Sequence, residues 1–164
     1  VNAVSQLRQE GFPVQLDLIG PSYPPALSRL KKAIEHYPFA VDCVFYHGEV
    51  PYEGLHIIYE QADLGIFASS CESFSINLLE TIAAGLPIAC SENNPMPEIL
   101  KEAGVYFNPE APNDIALKLR TMIVSTKLRE EKALSSFKLI QDYSWKTCSN
   151  QTFTFISEIA KNSK

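Results

Sequence analysis

Two sequence periods alternate along the chain, and no other feature constrains its fold as tightly. Short, almost uninterrupted apolar runs are separated by longer stretches whose apolar residues recur every three to four positions. The runs are VQLDLIG (Val14 to Gly20), CVFYHG (Cys43 to Gly48), DLGIFAS (Asp63 to Ser69), LPIACS (Leu86 to Ser91) and VYFN (Val105 to Asn108). Helices are expected over Asn2 to Glu10, closed by Gly11, and over Pro24 to Tyr37, Tyr52 to Ala62 and Ser75 to Ala84. A short helix near Pro97 to Glu102 and further helices toward the C-terminus complete the pattern. Pro24 to Tyr37 is amphipathic, with Ala26, Leu30, Ala33 and Tyr37 on one side. Strands that read as continuous apolar runs belong to a parallel sheet covered on both faces. The expected fold is therefore α/β, a doubly wound parallel sheet with helices on both faces and its ligands beyond the carboxyl ends of the strands.

The sequence opens on a helix, whereas doubly wound domains ordinarily open on a strand, often the central one. A sheet without its central strand exposes unpaired edges. At least one strand is thus expected upstream in a longer parent chain, and the absence of an initiator Met agrees with that reading.

At 164 residues the chain fits one domain with a real core. Hydrophobic residues at 46 % and charged residues at 20 % are ordinary for a globular protein, and no apolar run is long enough to span a bilayer. A net charge of -5 argues against a nucleic-acid partner, which needs a concentrated basic face. The densest basic spot, Arg29 to Lys32, reads as a solvated helix face. The four cysteines form no CxxC pair and offer no metal site; three of them, Cys43, Cys71 and Cys90, lie in or beside apolar runs, as buried free thiols do. Such thiols suit a reducing cytoplasm.

The chemistry is concentrated in CESFSINLLETIAAGLP, residues 71 to 87, where Glu72 precedes a helix and Glu80 lies inside it. One reading is structural: Asn77 caps the helix, Glu80 completes a capping box, and Glu72 responds to the helix dipole. The other is functional. The segment follows the DLGIFAS strand, so its loop lies at the ligand edge. A helix start there offers open backbone N–H groups at Phe74, Ser75 and Ile76, a cradle for phosphate. Carboxylates beside an anion site repel phosphate but accept hydrogen bonds from hydroxyls, and two of them would suit a nucleotide sugar. His47, at a strand end next to Gly48, is a further candidate for lining such a site. His36 and His56 read as surface or packing residues, Glu98 as favouring the first turn of a short helix, and Trp145 as a packing anchor.

From DLGIFAS to PEIL, the sequence resembles the donor-binding, C-terminal Rossmann-like domain of the retaining GT-B glycosyltransferases, glycosyltransferase family 4-like (glycosyl transferases group 1). That family's E-x7-E motif, E-x-F-G-x-x-x-x-E-A-x-A-x-G-x-P, falls on Glu72, Phe74, Glu80, Ala83, Gly85 and Pro87. LDLIG, VFYHGEV, PEILKEAGVYFNP and YSWKT extend the likeness over nearly the whole chain. Two positions depart from the pattern: Ser75 stands where glycine is usual, and Thr81 where alanine is usual. A serine at 75 would either crowd a diphosphate or donate to it. SENNPMPEIL also replaces a loop that is often glycine-rich, with Asn93 and Asn94 able to take its positive-φ positions.

The resemblance implies a role for each matched residue. Glu72 would bind hydroxyls of the transferred sugar as the catalytic-site residue. Phe74, Ser75 and Ile76 would present amides near the donor sugar and diphosphate. Glu80 would hold the ribose with Leu79 packing nearby, and Gly48 and Val50 would lie near the base. Residues 1–164 would then be the donor half of a two-domain enzyme for polysaccharide or glycoconjugate synthesis. Its substrate would be a nucleoside-diphosphate sugar, with no cofactor or metal, since no Asp-x-Asp pair is present. An acceptor domain and a diphosphate-gripping Arg and Lys would lie upstream, leaving the fragment inactive alone. The expected location is cytoplasmic, with any attachment to the inner face of a membrane made through the missing half. A non-catalytic nucleotide-sugar-binding module of the same fold is the alternative.

Overall fold

The computed structural model describes residues 1–141 and 143–162, and among these are five strands and eight helices. Their order is α1 (Asn2–Gln9), β1 (Leu16–Ile19), α2 (Pro24–His36), β2 (Val44–Gly48), α3 (Tyr52–Gln61), β3 (Gly65–Phe67) and α4 (Ile76–Ala83). Then follow β4 (Ile88–Ser91), α5 (Met96–Leu100) running into a 3-10 turn (Lys101–Ala103), β5 (Val105–Phe107), α6 (Pro112–Val124), α7 (Thr126–Ile140) and α8 (Trp145–Asn162). Every expected strand is present, trimmed at its ends.

All strand pairs are parallel, but they form two sheets. β1 pairs with β2, from Leu16 opposite Val44 to Ile19 opposite Gly48. β4 lies between β3 and β5, with Gly65 opposite Ile88 and Ala89 opposite Val105. Among the described residues, β1 and β3 each have a strand partner on one side only.

Cover on both faces is found at β4, whose four residues are all buried. Its side chains alternate between two cores, as the pleat requires. Ala89 joins Ala3 and Leu7 of α1, Phe107 of β5, and Ala116, Leu119 and Met122 of α6. Ile88 and Cys90 join Leu78 and Ile82 of α4 and Met96, Ile99 and Leu100 of α5. A third cluster sets Val4 of α1 against Ala40, Cys43 and Val44, with Leu16 and Leu18 of β1 beside them. α1 therefore bridges the two sheets, Val4 facing one and Ala3 and Leu7 the other.

The β1–β2 sheet departs from the expected double cover. Leu16 and Leu18 are half-buried, while Asp17, Ile19, Phe45 and His47 are exposed. The physical reason is that α1 and α2 pack, through Val4 and Ile34, on the side of Leu16 and Leu18, and no core cluster among the described residues lies against the other side. Asp17 between two leucines carried the signal: alternation marks a strand with one wet face.

Two further expectations are corrected. Trp145 is not a packing anchor: it is 80 % exposed at the start of α8, and Phe153 and Phe155 are exposed too. α8 buries none of its residues. Among the cysteines, Cys43 and Cys90 are buried as free thiols, but Cys71 is exposed, because the strand it was read beside ends earlier, at Phe67.

Candidate functional site

The apolar face of α4 fixes the place of its start. Leu78 and Ile82 are fully buried against β4 and α5, with Leu79 half-buried beside them. Gly85, at φ +84, closes the other end: Ala84 N–H donates to Glu80 O, Gly85 N–H to Ile82 O, and Leu86 N–H to Thr81 O. Between β3 and α4, residues 68–75 cross at the carboxyl end of the strand.

That crossing is tied down by side chains. Ser69 Oγ donates to Cys71 O at 2.9 Å, and Asn93 Nδ2 donates to Ser70 O at 3.3 Å from the loop after β4. Asn93 is itself placed by its N–H donating to the Oγ of the fully buried Ser91 at 3.1 Å. Positive φ is expected at Asn93 and Asn94, but among the described residues the non-glycine residue at positive φ is Lys101; the cross-loop bond of Asn93 depends on two distant segments and has no local signature.

The capping-box reading of Asn77 and Glu80 does not survive. α4 begins at Ile76 with Ser75 as its N-cap, so Asn77 is inside the helix and Glu80 lies beyond its first turn. Leu78 N–H donates to Ser75 O at 3.2 Å, while the N–H groups at Ile76 and Asn77 are left open by the geometry of any helix start. Glu72 is half-buried, and its Oε1 accepts from the N–H of Ser73 at 3.3 Å. Glu80 is half-buried as well, and neither carboxylate joins an ion pair among the described residues. Phe74 and Ile76 are exposed on either side of the buried Ser75.

The unusual Thr81 has a local explanation. Its hydroxyl donates to Asn77 O at 2.7 Å, and its methyl lies where a Cβ on Gly65 would come within 2.6 Å. The glycine on β3 makes room for the threonine on α4.

Glu72, Phe74, Ser75, Ile76, Leu79 and Glu80 thus share one loop-to-helix turn. Gly48 ends a strand of the other sheet and Val50 lies in the loop after it, and no hydrogen bond among the described residues joins the two groups. Gly48 ends β2 at φ +72 and accepts the N–H of Gly20 at 2.8 Å; Val50 is half-buried against the start of α3. His47 is turned to the open sheet face, where its Nε2 meets Asp17 Oδ1 at 2.7 Å. Gln15 donates to both oxygens of that aspartate. Glu98 is in the first turn of α5, as expected.

Two shallow clefts of about 520 and 500 Å³ lie elsewhere, along the 3-10 turn and α7 and along α2. Among the described residues no three His, Cys, Asp or Glu side chains are grouped so as to hold a metal ion.

The model of the family described as glycosyl transferases group 1 matches residues 1–133. The chain belongs to that family. A relative, O-antigen chain mannosyltransferase B of Escherichia coli, is 28 % identical over 107 residues, which is 65 % of this chain and 28 % of that protein. The chain spans less than a third of the length of the curated relatives it matches. In three dimensions it is similar to sucrose-phosphate synthase from Thermosynechococcus elongatus, with a TM-score of 0.82 and 19 % identity over 98 % of this chain and 42 % of that one. The pneumococcal O-GlcNAc transferase GtfA, solved in complex with UDP and GlcNAc, gives a TM-score of 0.73 at 19 % identity, over 97 % of this chain and 32 % of that one. The fold is the Rossmann-like α/β domain of GT-B glycosyltransferases.

Proposed function

We propose that residues 1–164 form the donor-binding part of a two-domain retaining glycosyltransferase, which moves a sugar from a nucleoside-diphosphate sugar to an acceptor hydroxyl. The observation that carries this reading is the turn into α4: two half-buried carboxylates without ion-pair partners flank an open helix start at the carboxyl end of β3. A helix start attracts a phosphate, and carboxylates accept from hydroxyls beside it. In this reading Glu72 positions the sugar, Glu80 holds the ribose, and the amides from Phe74 to Ile76 face the diphosphate. Gly48 and Val50 approach the base through their backbone.

Charge builds on the diphosphate as the glycosidic bond breaks, and preorganised donors stabilise it. The start of α4 supplies part of that stabilisation; an Arg and Lys pair in the upstream part of the parent supplies the rest, without a metal. Glu72 is a positioning group rather than a nucleophile, so transfer proceeds on the front face, the leaving phosphate helping to deprotonate the acceptor. The single-sided pairing of β1 and β3 supports a parallel strand supplied between them by the parent. The names of the relatives support polysaccharide synthesis as the setting, and the supply of nucleotide sugars makes it cytoplasmic. No helix among the described residues is long and apolar enough to cross a membrane, so any membrane contact is assigned to the upstream half.

The non-catalytic alternative drew on Ser75 and Thr81. The fit of Thr81 against Gly65 weakens it, because that departure is accommodated by the fold. Chemical-shift titration with UDP-, GDP- and ADP-sugars tests the proposal. Millimolar binding that weakens in Glu80→Ala supports it; binding indifferent to Glu80 rejects the assignment of the ribose.

A further inference from the structure

We propose that Asn93 is a positioning residue of the donor site: from the loop after β4, its carboxamide holds the β3–α4 loop in the arrangement that brings Glu72 to the sugar. This rests on the donor-site reading above and goes beyond it, since that reading gives Asn93 no part in the reaction.

The segment that carries Glu72 has little backbone support. Among the described residues, no loop or turn hydrogen bond between backbone groups involves residues 69–74. Two side-chain bonds stay within the segment: Ser69 Oγ donates to Cys71 O, and Ser73 N–H donates to Glu72 Oε1. The bond from Asn93 Nδ2 to Ser70 O, at 3.3 Å, is the one hydrogen bond among the described residues that ties residues 69–74 to another part of the chain.

Asn93 is itself held firmly. Glu92 N–H donates to Phe107 O at 2.9 Å, which carries the β4–β5 pairing one residue past β4. Asn93 N–H then donates to Oγ of the fully buried Ser91 at 3.1 Å, and its carbonyl accepts from Met96 N–H at 3.3 Å. Met96 is buried in the core cluster shared by α4, β4 and α5. Both backbone groups of Asn93 are thus fixed to the core, and a carboxamide N–H reaches from there to the loop. Glycine at this position would offer no such arm. Ser70 lies two residues before Glu72, so a fixed Ser70 carbonyl leaves Glu72 only two Cα steps of about 3.8 Å in which to wander. A loop ordered beforehand spares each binding event the cost of ordering it, and a sugar held in place reacts faster than one that is misplaced. The start of α4 is held separately, by Leu78 and Ile82. The nucleotide end of the ligand is therefore indifferent to Asn93, and the sugar end is not.

The test uses the chain as it stands, isotopically labelled and titrated with three pairs of probes: UDP and UDP-glucose, GDP and GDP-mannose, ADP and ADP-glucose. In Asn93→Ala, backbone relaxation should show added fast motion at the amides of residues 69–73 and none in α4. The sugar-bearing member of the best-bound pair should weaken about fivefold, the size of one neutral hydrogen bond, and the bare diphosphate by no more than about twofold. Asn93→Gln, which keeps the donor, should recover most of the loss. Unchanged relaxation overturns the inference. Equal weakening of both members of the pair, or equal loss in Asn93→Gln and Asn93→Ala, makes Asn93 a structural contact and overturns it too. A sugar advantage that survives in Asn93→Ala, yet is lost in Glu72→Gln, overturns it and leaves the donor site standing. No sugar advantage in the natural chain, or no binding of any probe at millimolar concentration, removes the assignment of Glu72 and this inference together.

Discussion

At the scale of single residues, Thr81 and Gly65 occupy one volume between them. A Cβ at position 65 would meet Thr81 Cγ2 at 2.6 Å and Ile88 Cδ1 at 3.0 Å. The isoleucine carbon is the far end of a flexible chain and can move, whereas the threonine methyl is locked by the hydroxyl bond to Asn77. Gly65→Ala should therefore destabilise by about 1–3 kcal/mol, as overpacking does. The same change in a Thr81→Ala background should cost at least 1 kcal/mol less, roughly the coupling seen for side chains in contact. Urea denaturation of the double-mutant cycle checks this, and additive effects would separate the two residues. The cysteines give a second residue-level expectation. Cys71 and Cys148 are exposed and Cys43 and Cys90 buried, and burial raises the pKa of both buried thiols. A thiol reagent at neutral pH should modify Cys71 and Cys148 rapidly and reach the other two only on unfolding. Because Cys71 adjoins Glu72, a bound nucleotide sugar should slow its modification and leave Cys148 unaffected.

At the scale of elements, α4 and α7 show which helix starts a sequence discloses. Ser125 caps α7 through Leu128 N–H, so Ser125→Ala should cost about 1 kcal/mol, whereas Asn77→Ala, inside α4 and away from its cap, should fall within about 0.5 kcal/mol. Chemical denaturation of the two variants measures that contrast. Asn77 and Glu80 have the residue types and spacing of a capping box, and only the buried face of α4 decides that the helix starts two residues earlier than that box would place it, at Ile76. The order of strands and helices was legible for a related reason. Period two and period three-to-four are properties of neighbouring residues, and Gly11, Gly20, Gly48 and Gly85, all at positive φ, punctuate them. Pairing between strands is not local. That β1 and β3 each keep an open side, and that α2, α3 and α8 leave their surroundings uncovered, depends on segments far apart in the chain. The turn of the site was legible because its motif is contiguous. The Asn93 bond to Ser70 was not, because it joins loops after two different strands.

At the scale of the whole molecule, packing is concentrated around β4, and part of its response to alkali follows from one thiol there. Cys90 is fully buried on the middle strand of the β3–β4–β5 sheet, and burial pushes its pKa up to about 12 from an ordinary 9.0. A thiol with a raised pKa keeps its proton in the folded state over a range where the unfolded chain has lost it. Its contribution is complete below pH 9.0 and drains away as pH rises toward 12. Within that window each such group lowers the unfolding free energy by about 1.4 kcal/mol per pH unit. Tyr106, opposite Cys90 on β5, is shifted the same way by burial, and then by Cys90 and Glu102, so the slope steepens further where the unfolded phenol ionises, above pH 10.0. Cys43, buried in the core beside the other sheet, is shifted the same way by burial. Alkaline unfolding should thus draw on both halves of the molecule, with Cys90 carrying the share at β4. Urea midpoints measured from pH 8 to pH 11 should fall steadily above pH 9.0 in the natural chain and less steeply in Cys90→Ala, whatever that variant's stability at neutral pH. Parallel slopes in the two proteins would mean that Cys90 is already ionisable in the fold, and that the core around β4 admits water.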